Sequence, residues 1–323
     1  MHTPTTIAAL VRQATRLLET EAVDNPALSA RVLVGAALGL SRTQMVLAHD
    51  RAVSPMDRDA ALGLVARRAA GEPVAYILGE KEFFGRPFTV TRDVLIPRPE
   101  TEHVVEEALA RVAPGAPLRL ADLGTGSGIL AVTLAAHLAH ARCLAVDTSA
   151  AALAVARGNA VRHGVADRIV FARADFAALP LPTPGTGRCG FPGLDLVVAN
   201  PPYVEPRELP LLSREVRDFE PHGALFPARP CPAHVPEGLQ DVDAIAEEAL
   251  RVLRPGGVLL MEIGCTQGVA VQALFRNREG WADVAVLPDL AGLDRVVVSY
   301  SQRKLECCAK DTSGFCTTET PQD

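Results

Sequence analysis

The stretch Leu194-Asp-Leu-Val-Val-Ala-Asn-Pro-Pro-Tyr203 decides how the rest of this sequence is interpreted. Residues 194–199 form a short apolar run, which is typical of a strand buried on both faces of a parallel sheet. The run must end in a turn, because Pro201 and Pro202 can neither donate to a sheet ladder nor continue a helix. Open α/β sheets bind their ligands beyond the carboxyl ends of the strands. We therefore expect residues 200–203 to lie at a binding site.

The tetrapeptide Asn200-Pro201-Pro202-Tyr203 suits methyl transfer to a planar nitrogen. The lone pair of an amide or aromatic amine is delocalised, so acceptors on its N–H groups are needed to draw the nitrogen towards a more nucleophilic, tetrahedral form. The Asn200 side-chain oxygen and the Pro201 carbonyl can supply two acceptors, and Tyr203 offers an aromatic face to a flat substrate. We predict that Asn200, Pro201 and Tyr203 are catalytic and that all four residues bind substrate. The alternative is an Asx-Pro turn without a catalytic role.

The composition is ordinary for a soluble globular protein. The chain has 323 residues, 48% hydrophobic and 22% charged, which is enough for two domains and a sizeable core. A net charge of −6 without a long Lys/Arg run argues against direct nucleic acid binding. Seven scattered Cys residues without a C-x-x-C pair predict no zinc site, no disulfide framework and a reduced, cytoplasmic location. No apolar run reaches the length of a bilayer span, so we expect no membrane association. Direct methyl transfer needs no metal ion, and we expect none.

The chain divides into four predicted segments. Residues 1–71 have helical spacing of apolar residues and should form a helical N-terminal domain, which either only packs or also docks a partner. Residues 72–94 carry aromatic and β-branched residues around Gly85-Arg86, which predicts a β-hairpin linker. Residues 95–301 should form the sheet domain. Residues 302–323 show no periodicity and are predicted to be a disordered tail.

Strand and helix signals alternate from Leu118 onward, which predicts βαβ units and a mostly parallel, Rossmann-like α/β sheet of seven strands. We predict strands near 118–123, 143–146, 168–172, 194–199, 257–262, 281–286 and 294–301, the last two as an antiparallel hairpin. The main intervening helices are predicted at 129–140, 150–163 and 237–253. Two loops, 180–193 and 227–236, are rich in Pro and Gly and longer than a compact domain needs.

The segment Asp122-Leu123-Gly124-Thr125-Gly126-Ser127-Gly128 follows the first of these strands and opens a helix. Its glycines let the backbone approach a ligand closely, and helix N–H groups point outwards there. The G-x-G-x-G spacing differs from the G-x-G-x-x-G of dinucleotide-binding loops. Asp147, after the next strand, can accept from ribose hydroxyls. Asp175-Phe176 can bind the adenine amine and stack on its ring. Each acid alone could be a helix cap, but together they predict a nucleoside site.

Together with Leu95-Ile-Pro-Arg-Pro-Glu-Thr-Glu102, these motifs resemble the HemK/PrmC family. Its members are protein-(glutamine-N5) methyltransferases that act on peptide chain release factors. Segments 72–79, 217–221 and 292–297 are also similar to family segments, so the resemblance runs from the N-terminal helices to about Tyr300. The Pro-Arg-Pro-Glu-Thr-Glu form is the discriminating part, since related enzymes that methylate a ribosomal protein are expected to carry serine near Pro99.

The resemblance implies a specific reaction in an adenosylmethionine-dependent methyltransferase domain. The loop 124–128, Asp147, Phe176 and Asn200 would hold S-adenosyl-L-methionine, and Asp175 is added to this set by its place after the third strand. Residues 200–203 would hold the glutamine in the Gly-Gly-Gln loop of a class 1 release factor, which is the expected protein partner. The enzyme is expected to be a cytoplasmic monomer. The lengthened loops depart from the family pattern and leave lid geometry and partner contacts open.

Two other functions stay open at this point. The first keeps methyl transfer but changes the substrate. The same tetrapeptide suits the exocyclic amine of an adenine or guanine flipped out of nucleic acid, although the acidic net charge disfavours it, and a glutamine of a ribosomal protein is a closer alternative substrate. The second function is a non-enzymatic nucleotide-binding or assembly module, for which Asn200 is only a turn residue.

Overall fold

The computed structural model describes residues 5–113, 115–181 and 193–302. The chain forms two compact units that interleave in sequence. The first comprises Met1–Lys81, Val90–Arg92 and Pro210–Glu220, and the second comprises Glu82–Thr89, Asp93–Leu209 and Pro221–Asp323. The predicted tail, apart from its first residue, and most of the loop 180–193 lie outside the described residues. The division into four contiguous segments stays a prediction.

The first unit is helical, as its apolar spacing predicts. Its helices are α1 (Ile7–Thr20), α2 (Pro26–Ala37), α3 (Arg42–Leu47), α4 (Pro55–Ala69) and α5 (Val74–Leu78). Ser41 caps α3 by accepting from the backbone of Gln44, and Ser54 caps α4 ahead of a first-turn proline. Buried residues of α1, α2 and α4, including Leu10, Leu33 and Val65, form one hydrophobic core.

Residues 80–89 form the predicted hairpin, in which β1 (Glu80–Phe83) pairs with β2 (Arg86–Thr89). The two turn residues, Phe84 and Gly85, both have positive φ, at 52° and 70°. Such a turn matches the twist of the strands that it joins. The buried rings of Phe83 and Phe88 meet edge to face, with centroids 6.1 Å apart, and belong to the core of the second unit.

The second unit is built on a seven-stranded sheet. Its strands are β3 (Leu118–Leu123), β4 (Ala141–Asp147), β5 (Ile169–Arg173), β6 (Leu194–Ala199), β7 (Leu253–Glu262), β8 (Trp281–Pro288) and β9 (Asp294–Ser301). They lie in the order β5-β4-β3-β6-β7-β9-β8. The first five in this order are parallel, and β9 is antiparallel to both of its neighbours, which confirms the predicted terminal hairpin.

The strand order places the ligand crevice. From β3 the chain moves outwards through β4 to β5 and then returns to the other side of β3 as β6. The direction of winding therefore reverses between β3 and β6, and a doubly wound sheet opens a crevice at the carboxyl ends of such a pair. The glycine loop follows β3 and residues 200–203 follow β6, so both predicted motifs lie at this crevice.

Alternate residues of the central strands supply two cores, one on each face of the sheet. Leu120, Leu196 and Val198 belong to one core, and Val197 and Ala199 to the other. The remaining helices are α6 (Glu102–Arg111), α7 (Ile129–His137), α8 (Ala150–Arg162), α9 (Arg214–Phe219), α10 (Gln240–Val252) and α11 (Gly268–Arg276). Of these, α9 belongs to the first unit.

Two predicted boundaries near β7 differ from the structure. The helix expected from residue 237 begins at Gln240, because Gly238 has φ 85°, outside the helical region. The strand expected near residue 257 begins at Leu253, and residues 254–257 form an irregularity inside it, since Leu194 pairs with Leu253 while Leu196 pairs with Val258. A Cβ on Gly257 would lie 2.9 Å from the carbonyl oxygen of Leu194. Only glycine permits that approach.

Candidate active site

A cavity of about 220 Å³ opens at the carboxyl ends of the central strands. Its lining comes from the loop before α6, the glycine loop after β3, the end of β4 and the turn after β6. Among the predicted site residues, the lining includes Gly124, Thr125, Gly126, Ser127, Asp147, Phe176, Asn200 and Pro202. Four predicted residues stand outside this lining, namely Gly128, Asp175, Pro201 and Tyr203. The structure thus brings most of the predicted nucleoside site and the first part of the tetrapeptide to one cavity.

Asp147 holds the glycine loop in place as well as lining the cavity. Its Oδ2 accepts from the backbone N–H of Gly126 at 2.9 Å, and its Oδ1 accepts from the N–H of Ser149 at 2.8 Å. Gly124 and Gly126 have φ values of 75° and 54°, which L side chains rarely adopt. Each carboxylate oxygen can accept a second hydrogen bond, so Asp147 keeps acceptor capacity for a ligand hydroxyl.

Asp122 is a buried acid among the residues that line the cavity. One of its oxygens accepts from the Thr125 hydroxyl at 2.6 Å and from the N–H of Ala131 at 3.0 Å. The other oxygen has no hydrogen-bond partner among the described residues. Burial raises the pKa of Asp122 to about 6, against the opposing effect of these hydrogen bonds. A buried orphan acceptor beside a cavity is the kind of group that a donor on a bound ligand satisfies.

The Asn200 side chain is held by a residue that lies far away in sequence. Its Nδ2 donates to the Thr101 hydroxyl oxygen at 3.0 Å, and Thr101 is fully buried in the short 3-10 turn before α6. This bond turns the amide NH2 group towards Thr101 and the amide oxygen away from it. Asn200 and Thr101 both line the cavity.

Tyr203 is anchored through its hydroxyl group. The hydroxyl donates to Oε1 of Glu262 at 3.1 Å, and the Tyr203 carbonyl accepts from Nε2 of Gln267 at 3.0 Å. Burial raises the pKa of the Tyr203 phenol above its usual range. Burial likewise raises the pKa of Glu262, although the neighbouring Thr101 and Tyr203 oppose the shift. The Tyr203 side chain is therefore held in place by Glu262, a buried acid at the end of β7.

Asp175 and Phe176 meet the second lengthened loop. The Asp175 carboxylate forms an ion pair with Arg229, whose guanidinium lies 5.1 Å from the centroid of the Phe176 ring. Arg229 also lies 3.3 Å from Asp241. Burial raises the pKa of Asp241 to about 6, while Arg229 lowers it and Asp175 raises it further. Phe176 lines the cavity, whereas Asp175 is engaged by the loop 227–236.

Three residues outside the predicted set belong to this site or adjoin it: Thr101 and Asp122 line the cavity, and Glu262 accepts from the Tyr203 hydroxyl. Asp122 opens the glycine motif, and an acid directly after an apolar strand was the available signal. Glu262 carried a similar signal, since it ends the apolar run of β7. Nothing local connects Thr101 with Asn200, because their contact joins segments 99 residues apart.

The residues present fit S-adenosyl-L-methionine. Asp147 offers carboxylate oxygens for a ribose diol, and Phe176 offers an aromatic face for a purine. The orphan oxygen of Asp122 and the glycine loop supply a polar end to the same cavity. Asp175 can reach an adenine amine only if it shares its carboxylate with Arg229.

Neither a metal cluster nor a membrane helix is present in the described ranges. Among residues 5–113, 115–181 and 193–302, no three His, Cys, Asp or Glu side chains are grouped as metal ligands. No helix in the same part of the chain is long and apolar enough to cross a bilayer.

Comparison with known proteins identifies both parts of the chain. Residues 9–79 match the PrmC N-terminal domain, and residues 116–295 match a methyltransferase domain. The release factor glutamine methyltransferase of Nitratidesulfovibrio vulgaris is 50% identical over 301 residues, which cover 93% of this chain and 96% of that protein.

Two further relatives carry the same name. The protein from Moorella thermoacetica is 39% identical over 93% of this chain and 100% of its own length. The protein from Cereibacter sphaeroides is 43% identical over 90% of this chain and 96% of its own length. A non-enzymatic module and a nucleic acid methyltransferase, the two rival functions, do not agree with these matches. Over nearly its whole length, the chain belongs to the release factor glutamine methyltransferases.

Proposed function

We propose that residues 200–203 and the adjoining cavity carry out the family reaction in this chain. The chain is an enzyme that transfers a methyl group from S-adenosyl-L-methionine to the side-chain nitrogen, N5, of a release factor glutamine. We assign catalysis to Asn200, Pro201 and Tyr203, and substrate binding to the same residues with Pro202. The observation that carries this assignment is the 3.0 Å bond from Asn200 to Thr101, which directs the amide oxygen away from Thr101.

The cofactor assignment uses the other side of the cavity. The loop 124–128, Asp147, Asp175, Phe176 and Asn200 are proposed to hold S-adenosyl-L-methionine, which supplies an electrophilic sulfonium methyl group when bound. The Asp147 carboxylate would accept from the ribose hydroxyls while it keeps the N–H of Gly126. Gly128 contributes through packing, since a Cβ there would lie 3.1 Å from the Cβ of Ala156 on α8.

The chain's residues act on the glutamine by orientation and by hydrogen bonding. The Asn200 side-chain oxygen and the Pro201 carbonyl accept the two N–H groups of the substrate amide. Acceptors in this arrangement stabilise a nitrogen that becomes ammonium-like as it is methylated. Holding the nitrogen in line with the methyl donor removes the entropy cost of a bimolecular encounter. The proton released from the nitrogen passes to water.

The partner is a class 1 release factor, presented through its Gly-Gly-Gln loop. The helical domain at residues 1–71 is proposed to dock it, and exposed apolar side chains support this role. Leu28 on α2 is 55% exposed, and Val46 and Leu47 on α3 are 68% and 79% exposed. The N-terminal domain would thus supply an apolar surface for protein recognition. A monomeric enzyme in the cytoplasm, without direct nucleic acid binding, completes the proposal.

Mass spectrometry of a release factor co-expressed with the chain tests the assignment. We expect one added methyl group on the glutamine of the Gly-Gly-Gln loop, and its loss when Asn200→Ala replaces the parent enzyme. A release factor whose loop glutamine is changed to glutamate serves as the control and must stay unmodified. Methylation at another residue, or of co-purifying RNA, would overturn the proposal.

A further inference from the structure

We propose that Gln267 is a positioning residue that holds the end of the tetrapeptide 200–203 against the connection between β7 and α11. This inference rests on the proposed role of residues 200–203 in binding the substrate amide. Gln267 is not among the described residues that line the cavity. Its effect on the reaction must therefore pass through the tetrapeptide.

The Gln267 side chain bridges two main-chain groups. Its Nε2 donates to the Tyr203 carbonyl oxygen at 3.0 Å, and its Oε1 accepts from the backbone N–H of Gly264 at 2.9 Å. Gln267 directly precedes α11, and Gly264 follows the end of β7 by two residues. The bridge therefore ties the last residue of the tetrapeptide to the connection between a central strand and the next helix.

The chemistry of these two main-chain groups calls for an amide side chain. A backbone N–H only donates and a carbonyl oxygen only accepts, so the side chain between them must offer one acceptor and one donor. The same two groups fix which way round the Gln267 amide lies. An ionised glutamate has the same length but no donor for the Tyr203 carbonyl, and methionine has neither a donor nor a strong acceptor.

Tyr203 is held at its other end by Glu262, the last residue of β7, which accepts from the phenol at 3.1 Å. A tyrosine anchored only by its hydroxyl group can still follow movements of its own main chain. The bond from Gln267 restrains that main chain directly. Because Pro201 and Pro202 have fixed φ angles, a displacement of residue 203 is passed back to the Pro201 carbonyl, the proposed acceptor for a substrate N–H.

Two glycines leave the room that the bridge occupies. A Cβ on Gly264 would lie 2.8 Å from Oε1 of Gln267 and 2.9 Å from its Cδ. A Cβ on Gly238 would lie 3.1 Å from the Tyr203 carbonyl oxygen. The main chain thus packs closely around both ends of the bridge, and a methyl group at Gly264 would push the amide out of its place.

Substitution of Gln267 tests the bridge. Gln267→Met removes both hydrogen bonds at a similar side-chain length, and Gln267→Glu keeps the acceptor for Gly264 but loses the donor to Tyr203. With cofactor and release factor saturating, we expect both variants to lower the single-turnover rate by roughly 10- to 100-fold, since a small misplacement of reacting groups has an effect of this size. Calorimetry should give the parent's affinity for S-adenosyl-L-methionine, which a general loss of structure would lower.

Gln272→Met is the matched control. Gln272 lies on α11, is half-buried like Gln267, and makes no hydrogen bond to residues 200–203 among the described residues. The same chemical change at this position should leave the rate within about twofold of the parent. An equal loss of rate in the control would overturn the inference.

Gly264→Ala tests the bridge without changing Gln267. The φ of Gly264 lies outside the left-handed region, so its main chain accepts an alanine, whose methyl group displaces the Gln267 amide. We expect a loss of rate like that of Gln267→Met. When Gln267 is already alanine, the displaced atoms are absent, and Gly264→Ala should cost less than about threefold. If Gln267→Met does not fold, as judged by thermal denaturation, Gly264→Ala decides the question.

Several outcomes separate this inference from the proposed function. Parent rates in Gln267→Met and Gly264→Ala would overturn the inference, as would independent losses that multiply in the double variant. A parent rate in Gln267→Glu alone would overturn it too, because the bond to Tyr203 would then be dispensable. A parent-like rate for Asn200→Ala is a different result, because it would overturn the proposed function itself.

Discussion

The two sides of the cavity are built in different ways. On the proposed substrate side, Asn200 donates to Thr101 and Tyr203 donates to Glu262, and both acceptor residues are fully buried. On the proposed adenosine side, Phe176 lines the cavity, and next to it Asp175 and Arg229 form an ion pair with side chains 48% and 30% exposed. The first arrangement joins buried residues of the sheet domain, whereas the second depends on a residue of the loop 227–236.

This difference has an energetic consequence. Groups in a buried network lose their partners without replacement by water, so removal of one member is costly. An exposed ion pair is screened and hydrated, and contributes little. We therefore expect single substitutions on the substrate side to have large effects on rate, and those on the adenosine side to have smaller effects on binding.

The largest effect is expected for Asn200→Ala. Loss of one preorganised partner at a reaction centre lowers turnover by about 10²–10³-fold, and here the cofactor affinity should change far less. Asn200→Asp keeps an acceptor but cannot donate to Thr101, so we expect an impaired rate that is still higher than that of alanine. Single-turnover transfer to a release factor, with cofactor saturating, is the measurement. Parent rates in both variants would make residues 200–203 a plain turn.

Asp147→Ala is expected to weaken binding of S-adenosyl-L-methionine by roughly ten- to a hundredfold, on the order of 1.5–3 kcal/mol. Two losses combine, since the ribose acceptor disappears and the N–H groups of Gly126 and Ser149 lose their partner. Asp147→Asn separates them, because its amide can keep one of these bonds and should lie between alanine and the parent. Calorimetry with equal affinities for all three proteins would remove Asp147 from the site.

The sequence was sufficient wherever a feature is local. The strands at Leu118–Leu123, Leu194–Ala199 and Asp294–Ser301 agree with their predicted bounds, since apolar runs and flanking turn residues define them. The glycine loop and residues 200–203 were located for the same reason. The pairing of β6 with β7 was not predictable from local pattern, because it depends on sheet order.

Contacts between distant segments account for what was missed. Thr101 meets Asn200 through tertiary packing, and the position of Glu262 follows from the register of Ala199 with Met261. Asp175 was assigned to adenine from its place after the third strand, which says nothing of Arg229 in a loop 54 residues later. Long loops leave no periodic signal from which such a contact can be inferred.

The raised pKa of Asp241, which lies beside Arg229, predicts a pH effect on stability. Asp241 has a folded pKa of about 6, raised from 3.8, so the folded state binds more protons than the unfolded state between these values. Its contribution to stability is therefore greatest below pH 3.8 and declines as pH rises towards 6. Asp241→Asn lacks this decline, so its unfolding free energy should gain about 1–2 kcal/mol on the parent between pH 4 and pH 7. Denaturant unfolding at both pH values with a constant difference would contradict the shift.

The smallest effect is expected for Arg229→Ala. The guanidinium steadies the Phe176 ring through its face and pairs with Asp175, both at a partly exposed position. An exposed cation–π contact and an exposed ion pair are each worth up to about 1 kcal/mol, so affinity for S-adenosyl-L-methionine should fall by about two- to fivefold.

Arg254→Ala is the matched control for this last change. Arg254 donates to Asp195 at 2.6 Å near the amino ends of β6 and β7, the opposite edge of the sheet from the cavity. The Arg254→Ala change removes the same charge and an ion pair of the same kind as Arg229→Ala does. Any general electrostatic effect on cofactor binding therefore appears in both variants. We expect the Arg254 variant to bind like the parent. Tighter binding in Arg229→Ala alone would mean that Arg229 covers the ring face used by adenine, and that the lengthened loop competes with the cofactor instead of supporting its site.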